Sequence, residues 1–153
     1  MSEQIEQFAT LASESLRLIA RLNGSAVFSN TELTIAEWLA LRQVALTDGS
    51  RQSALASKIG VTRQRAAQIA QRLRERGLLE MSEPSADNKA RLLTVSDEGL
   101  RLLSQTNDGL EEMLGPQSAQ VSGMMERAVK GTRLVSRRFK AVEDAAAEEI
   151  TAA

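Results

Sequence analysis

Neither cysteine nor histidine occurs anywhere in the 153 residues. That removes disulfides, thiolate nucleophiles, cysteine-based redox sensing, the usual zinc and haem ligands and any Ser-His-Asp triad. A disulfide-stapled secreted domain is excluded with them. Aromatic residues make up only 3% of the chain, so Leu, Ala, Ile and Val must do most of the packing within a hydrophobic fraction of 42%. Such a composition suits helices packed on helices. Two prolines, Pro84 and Pro116, leave room for long helices on either side of them. No apolar run approaches the roughly 20 residues of a membrane helix. The N-terminal stretch carries Glu3, Glu6, Glu14, Arg17 and Arg21 and lacks a signal-peptide core. Gly-rich phosphate loops and clusters of metal ligands are also missing, so an enzyme is not expected. The expectation is a mainly α, cytoplasmic, single-domain protein with no cofactor, no metal and no membrane partner.

Charge is unevenly placed. The net value is −1, yet residues 50–92 carry nine basic and four acidic side chains, while both flanking segments are net negative. A +5 segment between acidic ends suits a local polyanion contact, although ordinary solvated helix faces would read the same way.

Apolar spacing predicts a helix over 3–28, with Ile5, Phe8, Ala12, Leu16, Ile19 and Leu22 on one face and Asn23-Gly24 as a weak point. Thr34 and Glu37 form a capping box for a second helix through Trp38, Leu41 and Ala45, which ends at Thr47-Asp48-Gly49. Ser50 reads as the cap of a short helix holding Leu55, Ala56 and Ile59, stopped by Gly60. Thr62 caps the next helix, which runs to Arg76 and ends at Gly77. Residues 78–81 and 91–95 read as two strands of a hairpin around a turn-rich tip, 83–88. Ser96 caps a fifth helix that breaks at Gly115-Pro116. A last helix spans roughly 117–147, with Val121, Met124, Met125, Ala128, Val135, Phe139 and Val142 apolar and an alanine-rich tail that is expected to fray. Long end helices bury little in a small chain. Their stripes need either a second copy or their own subunit.

Residues 52–73 carry the strongest motif. A helix-turn-helix needs a small residue at the helix crossing, a turn residue tolerant of positive φ, and apolar anchors on its second helix. Ala56, Gly60 and the set Ala66, Ile69 and Leu73 supply them in that order. At 100° per residue, Gln64, Ala67, Gln68 and Gln71 lie opposite those anchors, with Arg63 and Arg72 on the flanks. Glutamine pairs with the adenine edge in a major groove, and arginine with guanine or phosphate.

With the hairpin added, residues 33–110 resemble the MarR family of winged-helix regulators. The most specific stretch is Asp87-Asn88-Lys89-Ala90-Arg91-Leu92-Leu93-Thr94-Val95-Ser96, similar to that family's wing signature. Lys89 stands where the family favours arginine, Asn88 at a tip position that is often basic, and Met81 where an arginine often closes the first strand. Lysine lacks the planar fork that grips a carboxylate, and Arg91 is available as a substitute wing cation.

The resemblance implies a winged helix-turn-helix lobe over 33–96 and dimerisation helices over 1–30 and 97–150. It implies a homodimer on a pseudo-palindromic double-stranded DNA site, usually as a repressor. Thr62, Arg63, Gln64, Arg65, Gln68, Gln71 and Arg72 are then the recognition-helix contacts, and Asp87, Asn88, Lys89 and Arg91 the wing contacts. A small-molecule effector is also implied, with Arg21, Trp38 and Arg42 as candidate pocket residues; the plainer reading of Trp38 is core packing. The departures in the wing leave a second reading open, a winged-helix protein-interaction module without DNA contact.

Overall fold

The fold of this chain, a computed structural model, is described for residues 1–47, 49–84, 86–87, 89–115 and 118–152. Seven helices and three strands are found among them, in the order α1 (Glu3–Asn23), α2 (Ala26–Thr31), α3 (Ile35–Ala45), β1 (Ser50–Arg51), α4 (Gln52–Ile59), α5 (Arg63–Glu75), β2 (Leu79–Met81), β3 (Leu92–Val95), α6 (Asp97–Leu114) and α7 (Ser118–Ala152). Two compact units divide the chain, Met1–Leu110 and Glu111–Ala153.

The stretch expected to be one helix over 3–28 is two. Gly24 caps α1, and Ser25 starts α2 from an extended conformation while its hydroxyl donates to the Leu22 carbonyl at 2.7 Å. A serine that bonds the preceding turn offers the backbone an alternative to continued helix. Asn23 adds a tertiary reason, because its Oδ1 accepts the Ile35 N–H at 2.7 Å and ties the end of α1 to the start of α3. The Thr34–Glu37 capping box forms in full: Glu37 N–H donates to Thr34 Oγ1 at 3.2 Å, and Thr34 N–H donates to Glu37 Oε2 at 2.8 Å.

Ser50 is not a helix cap. It pairs with Leu93 as part of β1, and Arg51 takes the cap position of α4. The hairpin is therefore a three-stranded antiparallel sheet in the order β1-β3-β2, with Leu79 opposite Val95 and Met81 opposite Leu93. A two-residue strand exists only because β3 offers it a free edge, and local composition carries no sign of that.

The core lies in the first unit. Phe28, Leu41, Leu55, Ile69, Leu73, Leu78 and Leu93 are buried there, drawn from five elements and the turn that leads into β2. Ser96 caps α6 as expected: its hydroxyl donates to Gly77 O at 2.6 Å and accepts the Gly99 N–H at 3.0 Å. In the first turn of that helix, hydrogen bonds from Arg101 hold the Glu98 carboxyl below the usual carboxylate range.

α1 buries no residue at all, although Ile5, Leu16 and Ile19 share one of its faces. α7 runs on to Ala152, past the expected end at 147, in keeping with the high helix propensity of its alanines and glutamates. None of its described side chains is buried, Met124 and Val142 among them. Among the described residues, no helix is long and apolar enough to cross a membrane.

Candidate nucleic-acid interface

Gly60 ends α4 in the left-handed conformation, at φ 73°. The chain turns there with Gly60 N–H and Val61 N–H both donating to Ala56 O, at 3.0 and 3.1 Å. A residue with a Cβ would be strained at this φ, which is why glycine serves as the stop. Thr62 then opens α5 from an extended conformation, its Oγ1 accepting the Arg65 N–H at 3.2 Å. Such a cap contributes about 1 kcal/mol and sets where the helix begins.

Burial divides α5 cleanly. Ala66, Ile69, Ala70 and Leu73 are buried against the core, so Ala70 joins the three anchors expected from spacing. Thr62, Arg63, Gln64, Arg65, Gln68, Gln71 and Arg72 are all exposed, so the seven expected contact residues lie together on the solvent side of one helix and at its cap. They are not equivalent. Gln71 donates to Glu75 Oε1 at 2.9 Å, one turn further on, and that carboxylate would repel phosphate. Arg72 turns toward α3, with its Nη2 3.4 Å from Glu37 Oε1. Gln64 and Gln68 make no side-chain hydrogen bond among the described residues, so the first two turns of α5 carry the amides available to a partner.

Two arginines were missed in the sequence. Arg76 donates from its guanidinium to Glu32 O at 2.8 Å and to Thr31 O at 3.1 Å, clamping the end of α5 onto the end of α2. The signal was the charge itself, but its partners are carbonyls about 45 residues away. Arg74 is exposed and lines an open cleft of about 630 Å³ with Gln52, Ala67, Gln71, Leu79 and Met81, between α5 and β2.

The wing rises from Ser82, whose N–H donates to Leu92 O at 2.8 Å and whose Oγ accepts the Leu92 N–H at 2.9 Å. Asp87, Lys89 and Arg91 are exposed beyond that point, and none of the ion pairs among the described residues includes Asp87. Asn88 lies outside the described residues.

The candidate effector residues do not form a linked group. Trp38 is half-buried, donates from Nε1 to Asn107 Oδ1 at 3.0 Å, and meets Phe28 edge-on with ring centroids 6.1 Å apart. Arg21 and Arg42 are exposed in the last turns of α1 and α3, and no hydrogen bond or ion pair among the described residues joins either to Trp38.

Residues 31–90 match the model of the MarR family, a span that holds the helix-turn-helix and the wing tip. Comparison with curated proteins gives no significant match. Among solved structures, Sco5413, a MarR family transcriptional regulator from Streptomyces coelicolor, matches with a TM-score of 0.73 at 19% identity, over 91% of this chain and 99% of that one. The transcriptional regulator BldR from Sulfolobus solfataricus matches with a TM-score of 0.72 at 16% identity, over 90% and 99%. The transcriptional repressor CouR, solved on a 23-mer DNA duplex, matches with a TM-score of 0.61 at 21% identity, over 79% and 89%. CouR from Rhodococcus jostii RHA1 has also been solved with p-coumaroyl-CoA bound. Residues 31–90 of this chain are thus similar to the MarR family, and its fold is that of the solved winged helix-turn-helix regulators.

Proposed function

We propose that this chain is a sequence-specific double-stranded DNA-binding transcriptional regulator, a repressor acting as a homodimer on a pseudo-palindromic operator. The observation that carries this reading is the division of α5, aliphatic side buried and Gln64 and Gln68 exposed between Arg63 and Arg65. A glutamine amide supplies the donor and acceptor that match the N6/N7 edge of adenine, while the neighbouring guanidinium groups suit guanine or phosphate. Exposed Lys89 and Arg91 on the wing add cations for a neighbouring groove or backbone. CouR, caught on a duplex, supports the reading by analogy of fold.

Retention of genomic fragments, including the region upstream of the protein's own gene, tests it. A fragment should be retained, and affinity should fall about a thousandfold or more between 50 and 200 mM salt if some six phosphates are neutralised per dimer. Gln64→Ala and Gln68→Ala should each weaken operator binding by about 1–3 kcal/mol and leave random-duplex binding nearly unchanged. No retained fragment at low salt would replace this reading with a protein-interaction module.

The homodimer rests on unpartnered apolar faces, those of Ile5, Leu16 and Ile19 on α1 and of Met124 and Val142 on α7. Burying these faces against a second copy removes apolar surface at about 25 cal/mol per Å². The protein should sediment as two chains at micromolar concentration, and Met124→Glu with Val142→Glu should shift it toward one. Sedimentation of that double variant as a stable pair would remove α7 from the dimer interface. An effector that releases the operator belongs to the same proposal, with Arg21, Trp38 and Arg42 as the residues to vary; CouR with p-coumaroyl-CoA is the supporting precedent.

A further inference from the structure

Glu37 is one of the few polar residues in the core, only 1% exposed. One of its carboxylate oxygens, Oε2, closes the capping box on the Thr34 N–H. The other, Oε1, is enclosed and receives no hydrogen bond among the described residues. Capping uses one acceptor oxygen and would be served by glutamine as well. The cap therefore does not account for Oε1 or for its charge. The group that faces it is the Arg72 guanidinium at 3.4 Å, on the recognition helix, and neither residue makes another ion pair among the described residues. A buried carboxylate is costly unless a cation stands against it. The pair therefore favours the geometry in which Arg72 stays beside α3.

We propose that Glu37 is a positioning residue for DNA recognition: through Oε1 it keeps the Arg72 guanidinium on the protein and away from the phosphate backbone. This rests on the DNA-binding reading above and revises one residue of it. The Arg72 side chain is 56% exposed, so water and phosphate both reach it, and without Glu37 nothing else in the described structure would hold it. Arg76, one turn on, is likewise engaged with α2 carbonyls. Two of the five arginines between 63 and 76 are thus engaged by the protein itself, and the helix would meet DNA with less free charge than its composition suggests. Phosphate contacts carry no sequence information, so withholding one raises the share of binding that comes from base edges.

The test is Glu37→Gln in the full-length protein, measured on the operator recovered by fragment retention and on a random duplex of equal length. The amide oxygen of glutamine keeps the bond to Thr34, while the charge is lost. The slope of log K against log salt should steepen by about 0.9 per subunit, the signature of one added phosphate contact. Affinity for the random duplex should rise several-fold, and the operator-to-random ratio should fall. Adding Arg72→Gln to Glu37→Gln should abolish the gain. An unchanged slope and ratio in Glu37→Gln would leave Glu37 as a helix cap and overturn the proposal. Should Glu37→Gln fail to fold, Arg72→Gln alone decides: an unchanged slope is expected, and a slope shallower by about 0.9 per subunit refutes it. A wild-type protein that binds no duplex at all would sink the DNA reading itself, an outcome distinct from either of these.

Discussion

Gly99→Ala should lower the thermal midpoint by about 6 °C, although the substitution places a better helix former inside a helix. A Cβ on Gly99 would sit 2.2 Å from the Leu78 carbonyl oxygen and 2.7 Å from Val95 Cγ1. The first is backbone, which no rotamer change can move aside. Leu78 O also accepts the Ser96 N–H at 3.1 Å, and Ser96 Oγ donates to Gly77 O, so the start of α6 is stitched to the turn that leads from α5 into the wing. Alanine gains about 1 kcal/mol in helix propensity over glycine. Overpacking against a fixed backbone costs about 3 kcal/mol, the upper part of its usual range. The clash wins by about 2 kcal/mol, or about 6 °C for a chain of this length. Gly109→Ala is the control on the same helix. Its Cβ would meet a Val27 methyl at 3.0 Å, a side-chain atom that can yield, so stability should stay within about 1 kcal/mol of wild type. Calorimetry on both variants checks the pair. A Gly99→Ala protein as stable as Gly109→Ala would mean that α6 does not rest on Leu78 as described.

Leu73→Ala should cost more, about 3 kcal/mol and about 10 °C in thermal midpoint. Leu73 is the last core anchor of α5, fully buried, and its carbonyl receives the Leu78 N–H at 2.8 Å just beyond the helix end. Truncation removes packing atoms from a site that those bonds keep from collapsing, so most of the cavity cost remains. Glu75→Ala, two residues on and exposed, should change stability by less than about 0.5 kcal/mol. Chemical denaturation with unchanged m-values separates a loss of stability from a change of fold. A Leu73→Ala variant within 1 kcal/mol of wild type would show that α5 is not held by its aliphatic side, and the assignment of its outer face would fall with it.

Features settled by neighbours in sequence were legible from the chain. Gly60 stops α4 because only glycine takes that φ cheaply, and Thr62 caps α5 because its hydroxyl reaches three residues ahead. The Thr34–Glu37 box, the burial of Ala66, Ile69 and Leu73, and the exposure of Gln64 and Gln68 follow from spacing alone. What spacing cannot supply is a partner far along the chain. Ser50 reads as a cap until Leu93 pairs with it, and nothing near Arg76 in the sequence announces the Thr31 and Glu32 carbonyls that it grips.

Local periodicity and stop signals were thus enough to determine the helix-turn-helix pair and which side of α5 meets solvent, because each depends on interactions that close within one or two helical turns. Only the tertiary structure decided that Arg72 faces Glu37, that Trp38 reaches Asn107 and that α6 settles on Leu78 at a glycine. Those contacts join segments 21 to 69 residues apart, and their geometry exists only once the core between them has packed.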